Sequence, residues 1–427
     1  MKKKIENIFL KKKILIYGLG KSGLATFDFL KRKSKVFLYD DYQKNYKNLI
    51  NYNFIKKNNF DYIIISPGID INNCKLSKFL KKNLKKIYTD LDIFYSFYKN
   101  DCITITGTNG KSTTCQLLYQ ILLNQKYDVK LVGNIGNPIL SLHKIKKKTI
   151  FVVEASSYQL EYSKIFKSKY AAILNISPDH LERHKTIKRY IKAKFKLLIN
   201  QSKKSFCFVK KNDLFIENEL KISKIKSKIN KVDTLKLNKI LSHITNEYFL
   251  TETNKENLSF VLAITKQLRL NKKLVLDEIQ KFKGLKYRQQ IVYRNSNLII
   301  INDSKSTSFS SSLGILKTNP NIYWLLGGIH KRGDKFNLPK NYYHNIKAFV
   351  YGKKKNFFNN QLKGKIKTEN FQNLKDAFKK ILIIIKKQKS IKKTILFSPA
   401  AASFDSFDNF EDRGQYFNKL VKKYFNE

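Results

Sequence analysis

The chain has 427 residues and a formal net charge of +53, from 85 Lys+Arg against 32 Asp+Glu. A balance this basic points to a polyanionic partner, nucleic acid or an anionic membrane. Hydrophobic residues at 42% and aromatics at 13% exclude a disordered basic tail and supply cores for two or three domains. Cys74, Cys102, Cys115 and Cys207 show neither CxxC nor His-adjacent spacing, which argues against a disulfide scaffold or thiolate zinc site and fits a reducing cytoplasm. Lys11, Lys12 and Lys13 interrupt the apolar stretch near the N-terminus, and no apolar run approaches the ~18 residues of a membrane span. Neither export nor a span is expected.

Short β-branched and aromatic runs alternate with lysine-rich helical stretches, which predicts an α/β protein with parallel sheets. In chain order the predicted strands cover 14–17, 36–39, 62–66, 102–106, 149–154 and 171–176, then 298–302, 323–327, 348–351 and 394–398. Ten of the 16 glycines fall in five segments at or near strand ends: GLGKSG (18–23), SPGI (66–69), TGTNGKST (106–113), GNIGNP (133–138) and LLGG (325–328). Glycine after a parallel strand lets the backbone approach a ligand at the carboxyl edge of the sheet, so these are the candidate site loops.

The first loop follows a strand, opens a helix and has Asp40 at the end of the next strand. That is the pattern of a dinucleotide site, in which a pyrophosphate rests on a helix N-terminus. NAD, another diphosphate ligand, or glycines serving only strand–helix packing all fit it. Nothing downstream resembles a hydride-transfer site, which counts against NAD.

The third loop is more specific. A buried-strand pattern runs from Cys102 to Thr106 straight into Gly107-Thr108-Asn109-Gly110-Lys111-Ser112-Thr113 and a helix. Backbone N–H groups there can cradle phosphates, Lys111 can neutralise β/γ charge, and Ser112 or Thr113 can reach Mg²⁺. Ile105 stands where a full Walker A pattern has its first glycine, so the loop is a shortened one. The next two strands end near Glu154 and His180; Glu154 suits Mg²⁺ as an oxygen ligand, whereas an isolated His180 is equally a helix-start residue. His184 shares that turn, which shifts the weight towards a site.

With these residues in view, the chain resembles the Mur ligase family, ATP-dependent amide ligases of peptidoglycan precursor synthesis. The matching segments are TGTNGKST, GNIGNP, EASSYQLE, NISPDHLERH, ETNKENLSF with Asn254 and Asn257, GLKYRQQ, NDSKSTS, LLGG and SPAAASFDSFDNFEDRG. They stand in the family's order across residues 14 to 417. Within the family, the DSKST segment and the SPAAASFD ending look most like members that add D-glutamate to UDP-N-acetylmuramoyl-L-alanine. The DNPR-type segment of members adding diaminopimelate or lysine is absent, and Asn109 stands where L-alanine-adding members have His.

The resemblance implies three domains: a Rossmann-like N-terminal domain (1–97) binding the UDP moiety, a central P-loop-like mononucleotide-binding ATPase domain with a parallel sheet (98–285), and a Rossmann-like C-terminal domain (286–427) that receives the amino acid. It implies ATP contacts from Gly107, Thr108, Asn109, Gly110, Lys111, Ser112, Thr113, Asn257, Arg288 and Asp303. It places the UDP-substrate on Gly20, Lys21, Ser22, Asp40, Gly68, Asn134 and Ser156, and D-glutamate on Lys305, Thr307, Lys331, Ser403 and Phe410. Two Mg²⁺ ions are implied on Ser112, Glu154, His180 and a carbamylated Lys194, with Lys111, Glu154, His180 and Lys194 carrying the catalysis. Lys194 could not be singled out among so many lysines by composition. The implied enzyme is a cytoplasmic monomer with small-molecule substrates and no nucleic-acid partner.

Two departures from the family pattern stand out. Ile329-His330-Lys331-Arg332 leaves open whether Lys331 or Arg332 meets the glutamate, and Asp41-Tyr42 replaces the hydroxyl and basic residue usual after Asp40. Folylpolyglutamate synthase shares the shortened phosphate loop but lacks a separate domain before it, whereas about 100 residues precede Cys102 here. Nucleic-acid binding would concentrate charge on a face or tail; here lysines spread through nearly every helical stretch, and no RNP, KH or helix-turn-helix signature occurs. A handful of cations, Lys111, Arg288, Lys305 and Lys331, would attract anionic substrates; the remainder reads as a solvated surface.

Overall fold

The computed structural model describes residues 7–43, 46, 49–142, 144–234, 244–331, 333–388 and 391–425. Arg332, one of the two candidate glutamate contacts, lies outside the described residues. Among the described residues the strands form three sheets. By compactness the chain divides into two units: Met1–Ile176 with Arg183–Asn238 and Ser259–Ile279, and Ser177–Glu182 with Lys239–Leu258 and Gln280–Glu427.

The first unit holds two sheets. One has the order β2-β1-β3-β4, from β1 (Lys13–Tyr17), β2 (Lys35–Tyr39), β3 (Tyr62–Ile65) and β4 (Ile87–Tyr88), all parallel. Ile14 and Ile16 enter one core while Leu15 and Tyr17 enter another, so both faces of this sheet are covered, as a parallel sheet requires. The other has the order β10-β9-β8-β5-β7-β6, from β5 (Cys102–Thr106), β6 (Val129–Gly133), β7 (Ile150–Glu154), β8 (Tyr170–Ile173), β9 (Phe206–Lys210) and β10 (Lys228–Val232). β5 lies between β8 and β7, so the chain reverses its direction of winding beside the phosphate loop, where α/β sheets open a ligand crevice.

A buried carboxylate joins the two sheets' surroundings. Asp92 closes a capping box with Thr89 at the start of the helix Asp90–Phe97. Its Oδ1 also accepts from Ser163 Oγ and from the N–H groups of Lys164, Ile165 and Phe166, at 2.8–3.1 Å.

The second unit holds the sheet β11-β12-β16-β13-β14-β15, from β11 (Gln290–Arg294), β12 (Leu298–Asn302), β13 (Ile322–Gly327), β14 (Ile346–Tyr351), β15 (Lys367–Phe371) and β16 (Lys393–Phe397). Trp324 and Leu326 bury on one face, Tyr323 and Leu325 on the other.

The structure corrects the expected sheets in two places. β11 pairs antiparallel with β12, because only residues 295–297 separate them and a parallel crossover needs a dozen or more. The strand expected over 171–176 stops at Ile173, since the next residues leave the ladder to bind the phosphate loop: Thr108 N–H donates to Asn175 O and Asn109 N–H to Asn175 Oδ1.

Candidate active site

In the first sheet the loop after β1 packs by contact with its own helix. A Cβ on Gly23 would lie 1.9 Å from Gly18 O, so only glycine lets the helix Lys21–Leu30 start this close to the loop. Gly20 caps that helix, and Lys21 and Ser22 form its first turn. Asp40 sits beyond β2, as expected, but both its oxygens are engaged by backbone: Oδ2 accepts from Leu19 N–H at 2.7 Å, Oδ1 from Tyr42 and Gln43 N–H. Burial alone would raise its carboxyl; the donations from Gln43, Leu19 and Tyr42 outweigh it and hold the group below the usual carboxylate range. Asp41 takes Tyr17 OH at 2.8 Å and Lys75 N–H at 3.2 Å. Gly68 has nothing within 4 Å of where a Cβ would stand, so the loop after β3 is open on that side.

In the second sheet Gly110 adopts φ +85° at the N-cap of the helix Lys111–Asn124, a left-handed turn that aims the following N–H groups into the loop. Lys111 Nζ donates to Gly107 O and Thr108 O, both at 2.8 Å, so its cation folds over the loop it would serve. The register Ile105↔Glu154 places Glu154 beside the end of β5. There Glu154 is buried and accepts from Ser112 Oγ at 2.6 Å and Asn134 Nδ2 at 2.8 Å. Two segments distant in sequence thus converge on one carboxylate. Ser156 caps the helix Ser157–Glu161, exchanging bonds with Gln159 in a capping box, which engages its hydroxyl locally.

Lys194 is buried on the helix Ile187–Ile199, with Nζ 2.8 Å from Gly107 O and 3.4 Å from Thr106 Oγ1. Tyr190, one turn earlier on the same face, puts its ring 4.5 Å from Nζ and its hydroxyl 3.1 Å from Thr108 Oγ1. Of many lysines, the structure buries this one against the phosphate loop.

The second unit carries the remaining candidates. His180 has φ +55°, and its imidazole stands 3.4 Å from Asp179 and 3.5 Å from Glu182. The bond from His180 holds the Glu182 carboxyl below its usual range. Lys331 Nζ pairs with Asp179 at 2.6 Å. Asp334 nearby takes Phe309 N–H at 2.8 Å, and burial pushes its carboxyl up to about 6.

Asn257 and Asp303 are joined by a chain that sequence reasoning missed. Asn257 Nδ2 donates to Asn254, Asn254 Nδ2 to Gln289 Oε1, and Gln289 N–H to Asp303 Oδ1. Asn257 Oδ1 is buried with no hydrogen-bond partner, an acceptor left for a ligand's N–H. Tyr287 and Gln289 both have positive φ, 62° and 49°, flanking Arg288 in strained backbone. Full burial pushes the Asp303 carboxyl up to about 7, against the opposing pull of Ser398, Gln289 N–H, Arg288 and Arg413. Lys305 Nζ lies 3.7 Å over the Phe410 ring, and Ser403 is buried. Thr307 lies two residues before the helix Phe309–Leu316. Asn175 and Gln289 lie inside the segments NISPDHLERH and GLKYRQQ but carried no signal that marked them there, and Tyr190 carried none at all.

Among the described residues no three His, Cys, Asp or Glu side chains group as a metal cluster, and no helix is long and apolar enough to cross a membrane. The Ser112 hydroxyl against the Glu154 carboxylate is nonetheless a pair of hard oxygen donors, the chemistry Mg²⁺ prefers when substrate oxygens complete its shell.

Residues 105–269 match the Mur ligase middle domain. The chain is 33% identical over 449 residues to the UDP-N-acetylmuramoylalanine--D-glutamate ligase of Rickettsia felis, covering 99% of each. A crystal structure of MurF from Acinetobacter baumannii shares the fold with a TM-score of 0.62 at 16% identity, over 96% of this chain and 93% of that one. MurF ligase from Thermotoga maritima in complex with ADP aligns with a TM-score of 0.57 at 13% identity, over 96% and 95%.

Proposed function

The chain belongs to the Mur ligase family, and from that premise we propose that it is an ATP-dependent ligase that joins D-glutamate to UDP-N-acetylmuramoyl-L-alanine, releasing ADP and phosphate. The observation that carries the reading is the convergence of Lys111, Ser112, Asn134 and Glu154 on the carboxyl edge of one parallel sheet, in a chain similar over its full length to ligases of that name.

The alanyl carboxylate of the substrate attacks the γ-phosphate, giving an acyl phosphate and ADP; the D-glutamate amine then attacks that carbonyl and phosphate leaves. Transfer between two anions needs alignment and charge neutralisation more than a protein nucleophile. Lys111 turns from the Gly107 and Thr108 carbonyls to the phosphate oxygens, while the N–H groups opening its helix hold the β-phosphate. Asn134, fixed by Glu154, faces the reacting end of the sugar nucleotide. Ser112, Glu154, His180 and Lys194 would hold Mg²⁺, which when bound supplies charge neutralisation of the phosphates. Lys194 as a carbamate would keep one N–H for Gly107 O and present an anionic oxygen in place of a buried cation.

Domain roles follow the sheets. Residues 1–97 take the UDP moiety through Gly20, Lys21, Ser22, Asp40 and Gly68, and residues 98–285 take ATP, with Asn257 accepting from adenine. Residues 286–427 take D-glutamate through Lys305, Thr307, Lys331, Ser403 and Phe410, while Arg288 and Asp303 reach the nucleotide. The enzyme acts as a cytoplasmic monomer. ADP release with UDP-N-acetylmuramoyl-L-alanine, comparing D-Glu, L-Glu, L-Lys and meso-diaminopimelate, tests the reading: turnover with D-Glu alone is expected. Turnover with another amino acid and none with D-Glu refutes the specificity.

A further inference from the structure

Arg183 is one of the largest polar side chains buried in the first unit, and no step above uses it. Its guanidinium meets three elements at once. Nη1 donates to Pro67 O at 2.5 Å, in the loop after β3. Cζ lies 4.2 Å over the Tyr158 ring, and Nε stands 3.6 Å from Glu161 Oε2, both residues on the helix Ser157–Glu161.

The balance of this site is unusual. Burying a guanidinium costs several kcal/mol unless its donors are satisfied and its charge is paired. Here the carboxylate stands beyond hydrogen-bond length, and Glu161 Oε2 has no donor. Nη2 is buried without any acceptor. A buried donor left open in a native fold calls for an explanation, and this one lies beside a loop that is open to a ligand at Gly68. The same guanidinium fastens Pro67, next to Gly68, to the helix capped by Ser156, two residues past Glu154. The substrate must run between those two places if its diphosphate rests on the first sheet and its carboxylate on the second.

We propose that Arg183 is a binding and positioning residue for the sugar nucleotide: Nη1 fixes the loop after β3, and Nη2 donates to an oxygen of the bound substrate between its diphosphate and its alanyl end. This rests on the proposed function for the identity of the ligand. Tyr158 holds the guanidinium over its ring face, and Glu161 holds the charge in place at 3.6 Å, too far to consume a donor.

The test is Arg183→Lys, which keeps the charge and one donor for Pro67 O but loses the fork. The KM for UDP-N-acetylmuramoyl-L-alanine is expected to rise about tenfold or more, the loss of one charge-assisted bond, with the KM for ATP and D-glutamate within about twofold. Affinity for the same sugar nucleotide, measured by calorimetry on the full chain, should fall by the same factor. Arg183→Gln, which retains an amide donor for Pro67 O, should give the same selective shift if the lysine variant misfolds. An unchanged affinity for the sugar nucleotide, or an equal shift for ATP, overturns the inference. Failure of the wild-type chain to bind the sugar nucleotide would instead overturn the proposed function.

Discussion

Asp92→Asn removes a charge that organises two segments at once. Oδ1 accepts from Ser163 Oγ and three successive backbone N–H groups, Lys164 to Phe166, while Oδ2 accepts from Thr89 N–H at 3.0 Å and Thr89 Oγ1 at 3.2 Å. The asparagine oxygen can replace only one of these oxygens. With it on the four-donor side, the new NH₂ faces Thr89 N–H, donor against donor, and leaves a buried amide unsatisfied at a cost of about 2 kcal/mol. The bonds that survive lose their charge assistance, about another 2 kcal/mol together. A total of about 4 kcal/mol corresponds to a roughly thousandfold greater population of the opened segment. Hydrogen–deuterium exchange of the peptide spanning 161–168 reads this directly, and its amides should lose protection by two to three orders of magnitude, within the roughly thousandfold limit. Protection within threefold of the wild type would refute the argument that this carboxylate, and not the surrounding apolar packing, holds the segment.

Two other outcomes follow from the site. Lys194→Ala should lose most ligase activity and regain part of it with added short-chain carboxylic acids, assayed by ADP release; undiminished activity would remove the carbamate from the mechanism. Asp303 gives a pH dependence: its folded pKa of about 7 exceeds the ordinary 3.8, so between these values the unfolded chain releases a proton that the folded chain keeps. Its contribution therefore falls as pH rises from about 4 to about 7 and is constant above, with a slope of up to about 1.4 kcal/mol per pH unit. Urea-unfolding free energies of the wild type minus those of Asp303→Asn should decline across that window, and parallel curves would refute it.

What was legible in the sequence were the strands buried on both faces and the loops they end in. β5, β12 and β16 read as apolar runs because both faces of their sheets are covered, and the glycine that follows β5, Gly107 at φ +149°, is required by local backbone geometry. The missed strands are largely edges: β4, β6, β10, β11 and β15 each close one side of a sheet. An edge strand needs no continuous apolar pattern, so Lys228–Val232 and Lys367–Phe371 carry Lys, Asn, Thr and Glu and look like surface loops. The candidate loops were likewise visible, since TGTNGKST is a contiguous segment whose chemistry is local.

Contacts between distant segments were not visible. Asn175 leaves its strand to hold the phosphate loop, Gln289 joins Asn254 to Asp303, and Lys194 is selected from its neighbours by burial against Gly107. None of these is fixed by spacing, because hydrogen-bond partners 14 to 87 residues apart are chosen by how the sheets pack. The net charge of +53 shows the same division. Composition determined only that the surface would be basic; tertiary structure decided which few cations would be withdrawn from water and aimed at a loop, because desolvation makes a charge act strongly on its neighbours.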